Sequence, residues 1–193
     1  MAEPRRPRAA TAEKRTRLLD AAERIMLRDG YAAVTSRRVE AEAGLKLHYH
    51  FGTLDDLFVE VFRRRAERNV ERLHAALTSP EPLRAWWQIL SDSRGTALFV
   101  ELTAAANHRA ALQAEVAKLA HDVSEMQITL LGSILAEYDI DAEVYPPALI
   151  AAAAQGLALV VVQDQVRGFD TAHQEAVEGM VKLLNQLERS RTR

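Results

Sequence analysis

Apolar residues recur every three to four positions along most of the chain, the period of an amphipathic helix rather than of a strand. Leu18, Ala22, Ile25 and Met26 mark a first helix over about 12–28, with Thr11 placed to cap it and Gly30 to stop it. Tyr31–Val34 reads as a short linker. Thr35 then caps a helix over 36–43 whose inward residues are Val39 and Ala43, and Gly44 ends it. A third short helix fits Lys46–Phe51, and Thr53-Leu54-Asp55-Asp56 has the form of a capping box opening a long helix to about Thr78. Beyond the break at Ser79-Pro80-Glu81-Pro82, helices are predicted at roughly 83–93, 96–107, 109–137, 146–167 and 172–190, the last capped by Thr171. Nine helices and no convincing strand make an all-α fold: a small N-terminal three-helix module followed by a larger helical domain.

Composition supports that class and narrows the chemistry. Among 193 residues there are 33 alanines against 8 glycines and 6 prolines, much of the best helix former and few breakers. A hydrophobic share of 48% provides for a packed core. The absence of cysteine rules out a disulfide framework, a thiol nucleophile and cysteine-ligated zinc or iron–sulfur sites. It fits the reducing cytoplasm, the expected location. Arg5, Arg6 and Arg8 precede Thr11-Ala12-Glu13-Lys14-Arg15 and not an apolar run, so the N-terminus does not read as a signal peptide. Val144–Gln163 carries no charge, but its apolar part, 148–162, would span only about 22 Å as a helix. It is expected to be buried between protein surfaces, not in a membrane.

Charge is distributed unevenly. Residues 1–52 hold 11 Lys+Arg against 7 Asp+Glu, and residues 53–193 hold 14 against 20. A basic third attached to an acidic remainder suits a protein that meets a polyanion at one end.

The two short helices around Gly44 have the pattern of a helix-turn-helix, in which the second helix enters a major groove and the first braces it. Lys46, His48, Tyr49 and His50 crowd that second helix with hydrogen-bonding and aromatic groups. The same spacing also allows a plain three-helix packing unit with Tyr49 and Phe51 in its core. Residues 16–57 resemble the N-terminal module of the TetR family of transcriptional regulators. The likeness lies in Arg17–Ala22, Asp29-Gly30-Tyr31, Thr35-Ser36, Val39, Ala43-Gly44-Leu45, His48–Gly52 and Asp55-Asp56-Leu57, about a quarter of the chain.

The resemblance implies a DNA-binding regulator, and roles follow position by position. Thr35 and Ser36 would hold a phosphate at a helix start. Lys46, Leu47, His48, Tyr49 and His50 would fall on the recognition helix, the earlier positions near base edges and Tyr49 and His50 near the backbone. Arg15 and Arg17, with Arg5, Arg6 and Arg8, would supply counterion-releasing contacts. Arg37 and Thr53 complete the DNA-binding set. Residues 1–10 would form a disordered basic arm, 11–53 the DNA-binding domain and 54–193 the ligand-binding and dimerisation domain.

Two departures stand out. The family usually has about nine residues between the positions of Gly44 and Phe51, and this chain has six, which removes about 4.5 Å of helix. Leu54 also stands where many relatives carry a phosphate-touching lysine.

In the C-terminal region the helices at 146–167 and 172–190 are expected to form a homodimer interface, or else the core of a monomer. Small residues at 151–154, Gly156 and Ala158 would permit close approach. Trp86, Trp87, Phe99, Leu102, His108, Met126 and Leu130 are candidates to line a site for a small apolar or aromatic ligand, with ordinary core packing the alternative. His121 could add a polar contact. The adjacent tryptophans cannot face one way, so one of them is expected to point out of the core. No cofactor, metal site or enzyme is expected: Glu71–His74 is one Glu-x-x-His without a second, and Asp139, Asp141 and Glu143 lack the glycine and distal glutamate of an EF-hand. The expected function is a ligand-responsive repressor acting as a dimer on a near-palindromic operator. The rival is a helical dimer that binds a ligand or scaffolds, with impaired DNA binding.

Overall fold

The computed structural model describes residues 6–168 and 174–191. Among them are eight α-helices and no strand: α1 Arg6–Asp29, α2 Ser36–Ala43, α3 Leu54–Leu77, α4 Pro82–Leu90, α5 Ser93–Asn107, α6 Ala110–Ala136, α7 Pro147–Arg167 and α8 Gln174–Arg191. Two three-residue 3-10 turns, Tyr31–Ala33 and Leu47–Tyr49, stand either side of α2. The predicted cap Thr171 lies outside the described residues.

Local chemistry explains most boundaries. Thr35 accepts a hydrogen bond from the Arg38 N–H at 3.3 Å and so caps α2. Gly44 closes that helix at φ +65°, a left-handed conformation that a side chain would strain. Thr53 and Asp56 form the reciprocal box at the start of α3: the Thr53 N–H donates to Asp56 Oδ2 (2.8 Å) and the Asp56 N–H to Thr53 Oγ1 (3.1 Å). The start of α1 corrects the expected disordered arm. Residues 6–10 are helical and Thr11 is inside the helix, not its cap. Pro7, as the second helical residue, lacks only an N–H that has no intrahelical partner there, and no breaker follows it.

The helices divide into two units. The first comprises residues 1–65 and 98–119, and the second 66–97 and 120–193. This division departs from an expected boundary at residue 53, because the first turns of α3 and residues 98–119 build the same core as α1 and α2. In the first unit Leu18, Ile25 and Met26 of α1 pack with Val39, Leu57, Phe58, Leu102 and Leu112. In the second, Leu73, Trp86, Trp87, Leu131, Leu135, Ala154 and Leu184 form a separate core.

Both tryptophans are covered, Trp86 at 3% and Trp87 at 5% exposure, against the expectation that one would point outward. The short helix α4 packs against both α7 and α8, so residues about 100° apart around it each meet a neighbour. Its N-terminus is secured by buried Glu188 of α8, whose carboxylate accepts the N–H groups of Leu83 (2.9 Å) and Arg84 (3.1 Å) and the Tyr138 hydroxyl (2.5 Å). Burial and the neighbouring Glu188 push the Tyr138 phenol well above its ordinary value, so it remains a donor.

Helix α7 has 21 residues and so runs about 32 Å. Pro147–Asp164 is therefore long and apolar enough to cross a membrane by length and composition, which corrects the length argument made from 148–162. Ala151, Ala154, Ala158 and Val162 of this helix are buried within the chain.

Candidate nucleic-acid interface

The predicted recognition helix is a single 3-10 turn. Lys46 leads into it in extended conformation, and the Phe51 and His50 N–H groups close it on the Leu47 carbonyl (2.9 and 2.8 Å). So short a segment makes too few internal bonds to hold its own shape. Two side chains from the preceding helices hold it, and a third secures the end of α2 before it. Arg15 of α1 donates to the His50 carbonyl (2.6 Å) and lies over the Phe51 ring, 4.4 Å from its centre. Arg17 donates to the Ala43 carbonyl at the end of α2 (2.7 Å). Glu40 accepts the Leu47 N–H (3.0 Å) and pairs with Lys46 Nζ (2.9 Å).

The turn is two-sided. Leu47 is only 4% exposed and belongs to the core with Val39 and Phe51, so its side chain is a packing group and not a base contact. Leu47 thus lies in the core rather than at the surface expected of a DNA-binding residue. Lys46, His48 and Tyr49 point to solvent, Tyr49 at 76% exposure with its ring 4.1 Å from that of His48. His50 is half-buried, and its Nδ1 is buried without a hydrogen-bond partner.

The remaining candidates divide in the same way. Thr35 and Ser36 are exposed at the start of α2, where the N–H groups of Ser36 and Arg37 have no partner within the helix. Arg37 is exposed with no ion pair among the described residues. Thr53 is exposed, and its hydroxyl is engaged in the α3 cap. Arg15 and Arg17 direct their guanidinium groups at protein carbonyls, and Arg15 also pairs with Glu60. Nor is the basic excess of this region freely available, since Arg24 and Arg28 pair with Glu42, and Arg38 and Arg28 with Asp29.

Sequence reasoning missed Glu40. The signal was a carboxylate on α2 six positions before Lys46, outside the helical spacing at which side-chain pairs are usually sought. Lys46, then the Leu47 N–H, holds its carboxyl below the ordinary 4.5, so it stays charged beside the turn.

The expected ligand residues belong to both units. Trp86, Trp87, Met126 and Leu130 share the core cluster of the second unit. Phe99, Leu102 and His108 belong to the first unit. There Leu102 is fully buried, Phe99 is exposed, and His108 stacks on Tyr31 with ring centres 5.9 Å apart. His121 is exposed beside Glu125.

No family model matches the sequence, and no curated protein matches it. Solved structures do. Over 96% of this chain and 97% of the other, it is similar to the multidrug binding protein EbrR complexed with imidazole, with 30% identity and a TM-score of 0.62. A TetR-family member from Streptomyces coelicolor A3 shares 30% identity over 91% of this chain and 98% of that one, TM-score 0.62. NalD, the secondary repressor of the MexAB-OprM multidrug efflux pump in Pseudomonas aeruginosa, shares 20% identity over 90% and 96%, TM-score 0.57, and at that identity shares the fold.

Proposed function

The chain belongs to the TetR family of transcriptional regulators, and from that premise we propose that it is a homodimeric, ligand-responsive repressor acting in the cytoplasm. In this reading the Lys46–His50 turn of each protomer enters successive major grooves of a near-palindromic operator. The observation that carries it is the turn itself: Lys46, His48 and Tyr49 project from a segment held by Arg15 and Glu40, with Arg17 securing the end of α2 before it, while Leu47 anchors it from beneath. A scaffold with no use for DNA has no need of so firmly held an exposed cation and aromatic pair. Thr35, Ser36 and Arg37 at the start of α2 would take a phosphate.

The second copy would cover the apolar surface of α7 and α8. Leu149, Val181 and Leu183 are exposed, and 28% of the Pro147–Asp164 window is buried by the chain itself. Exposed apolar side chains on these helices suit an association surface. For the effector, Trp86, Trp87, Met126 and Leu130 offer an aromatic and polarisable lining that suits a small apolar or aromatic molecule. The solved structures of EbrR with imidazole and with ethidium support that chemistry. To release DNA, the effector must bind the DNA-free conformation better than the bound one.

The test is binding to a fluorescent duplex carrying the region upstream of the protein's own gene, in competition with random DNA and across a salt series. Tyr49→Ala with His50→Ala is expected to lower specific affinity by about 100-fold or more and leave the dimer intact. Equal weak binding to every duplex would favour the rival reading, a ligand-binding or scaffolding dimer, for which the brevity of the turn is the supporting observation.

A further inference from the structure

Glu40 is an unexpected residue to find against a DNA-reading element. Its backbone carbonyl accepts the N–H groups of Gly44 (2.9 Å) and Leu45 (3.3 Å), and its side chain then reaches Lys46 and Leu47. One residue therefore grips each of the four positions that lead into the turn. The side chain is mostly covered at 21% exposure, whereas Lys46 stands 63% exposed. A carboxylate in that place competes with DNA phosphate for the Lys46 ammonium.

We propose that Glu40 is a specificity-determining positioning residue, which fixes the turn through the Leu47 N–H and withholds Lys46 from non-specific phosphate contact. The proposal rests on the reading of Lys46–His50 as the groove-facing turn. A lysine ammonium on its flexible stem can neutralise whichever phosphate is nearest, and each such contact releases counterions whatever the sequence. Paired with Glu40, Lys46 has little to gain from a random phosphate, because its own ion pair must open first. At the correct site a base acceptor or a well-placed phosphate compensates for that opening. The glutamate thus disfavours wrong sequences more than the right one.

The experiment compares the wild-type protein, Glu40→Gln, Lys46→Gln, the double variant and Glu40→Ala. Each is titrated by fluorescence anisotropy against a random-sequence duplex and against a duplex selected from a random pool by the wild-type protein. Glu40→Gln keeps an acceptor for the Leu47 N–H and removes the charge. It is expected to raise random-duplex affinity by about tenfold at low salt and to steepen the dependence of log affinity on log salt by about one. Affinity for the selected duplex should rise less, so discrimination falls. In the Lys46→Gln background the gain from Glu40→Gln should vanish. Glu40→Ala also removes the Leu47 acceptor and should lower selected-duplex affinity by about tenfold, with helix content preserved by circular dichroism.

An unchanged salt slope in Glu40→Gln would overturn the proposal. So would a gain that persists without Lys46, since it would report only the loss of a negative charge. If the wild-type protein binds neither duplex even at low salt, the DNA-reading assignment of the turn fails, a result distinct from a bound protein whose slope does not move.

Discussion

The two units are held in different ways. In the first, charged side chains brace the backbone and one another across its surface: Arg15 and Arg17 on carbonyls, Glu40 on Lys46 and Leu47, Arg64 on Asp20 and Glu23, and Arg63 on Glu115. In the second, apolar packing surrounds Trp86 and Trp87, buried Glu188 ties α8 to α4 and to Tyr138 beyond α6, Arg84 and Arg191 add bonds to Asn185 and Glu137, and Leu149, Val181 and Leu183 are left bare. The difference suits their proposed tasks. A DNA-reading turn must be rigid while remaining at the surface, where apolar burial cannot hold it, so side-chain bonds do. A dimerising surface must stay apolar and open, so its unit is secured from within.

The largest expected effect follows from the buried node. Glu188→Ala strands two backbone N–H groups and the Tyr138 hydroxyl in the core of the second unit, and is expected to cost about 3–4 kcal/mol in denaturant unfolding. Glu188→Gln retains an acceptor and should cost about 1 kcal/mol. A loss below about 1 kcal/mol for the alanine variant would place the hold of α4 in packing and in the Arg84 bonds, not in Glu188.

Next comes Leu47, where the first unit departs from its own pattern. Leu47→Ala removes the buried anchor of the turn and is expected to cost about 2–3 kcal/mol, while Leu47→Met should cost under about 1.5 kcal/mol and leave operator affinity unchanged. If Leu47→Met reduces operator affinity at full stability, the leucine touches DNA after all.

How far the sequence foretold this structure differs between the units for the same physical reason. Thr35, Gly44 and the Thr53–Asp56 box each serve one local task that few residue types can perform, so their spacing predicts α2 and the start of α3 closely. The brevity of the segment between Gly44 and Phe51 was legible, but how it is held was not. That Leu47 turns inward and that Arg15, Arg17 and Glu40 act as braces depends on three-dimensional proximity between residues up to 35 positions apart. In the second unit alanine and leucine fit many helix faces equally well. The sequence therefore predicts helices there without predicting that both tryptophans are covered, or that Glu188 is buried more than 100 residues from the N–H groups it accepts.

The smallest expected effect tests whether the surface ion pairs of the first unit stabilise it at all. Arg38 holds the Asp29 carboxyl below its ordinary 3.8, Lys46 does the same for Glu40, and Arg24 with Arg28 for Glu42, these last two below 4.5. Each folded carboxylate thus binds a proton less readily than it does in the unfolded chain. Where the unfolded state holds more protons, stability rises with pH. The contribution is therefore complete above the ordinary carboxylate range and is lost as pH falls through the lowered folded values. Because all three carboxylates lie along or just before α2 and its turn, the loss should appear there first. Amide exchange of Val39 to Phe51, followed by NMR from about pH 6 to about pH 3, should show protection that is level at first and declines below about pH 4.5. Added salt should reduce the decline by screening pairs that face water. Protection that stays level to the acid end would mean that these pairs fix geometry without adding stability, leaving Leu47 and the braces on backbone groups as what holds the turn.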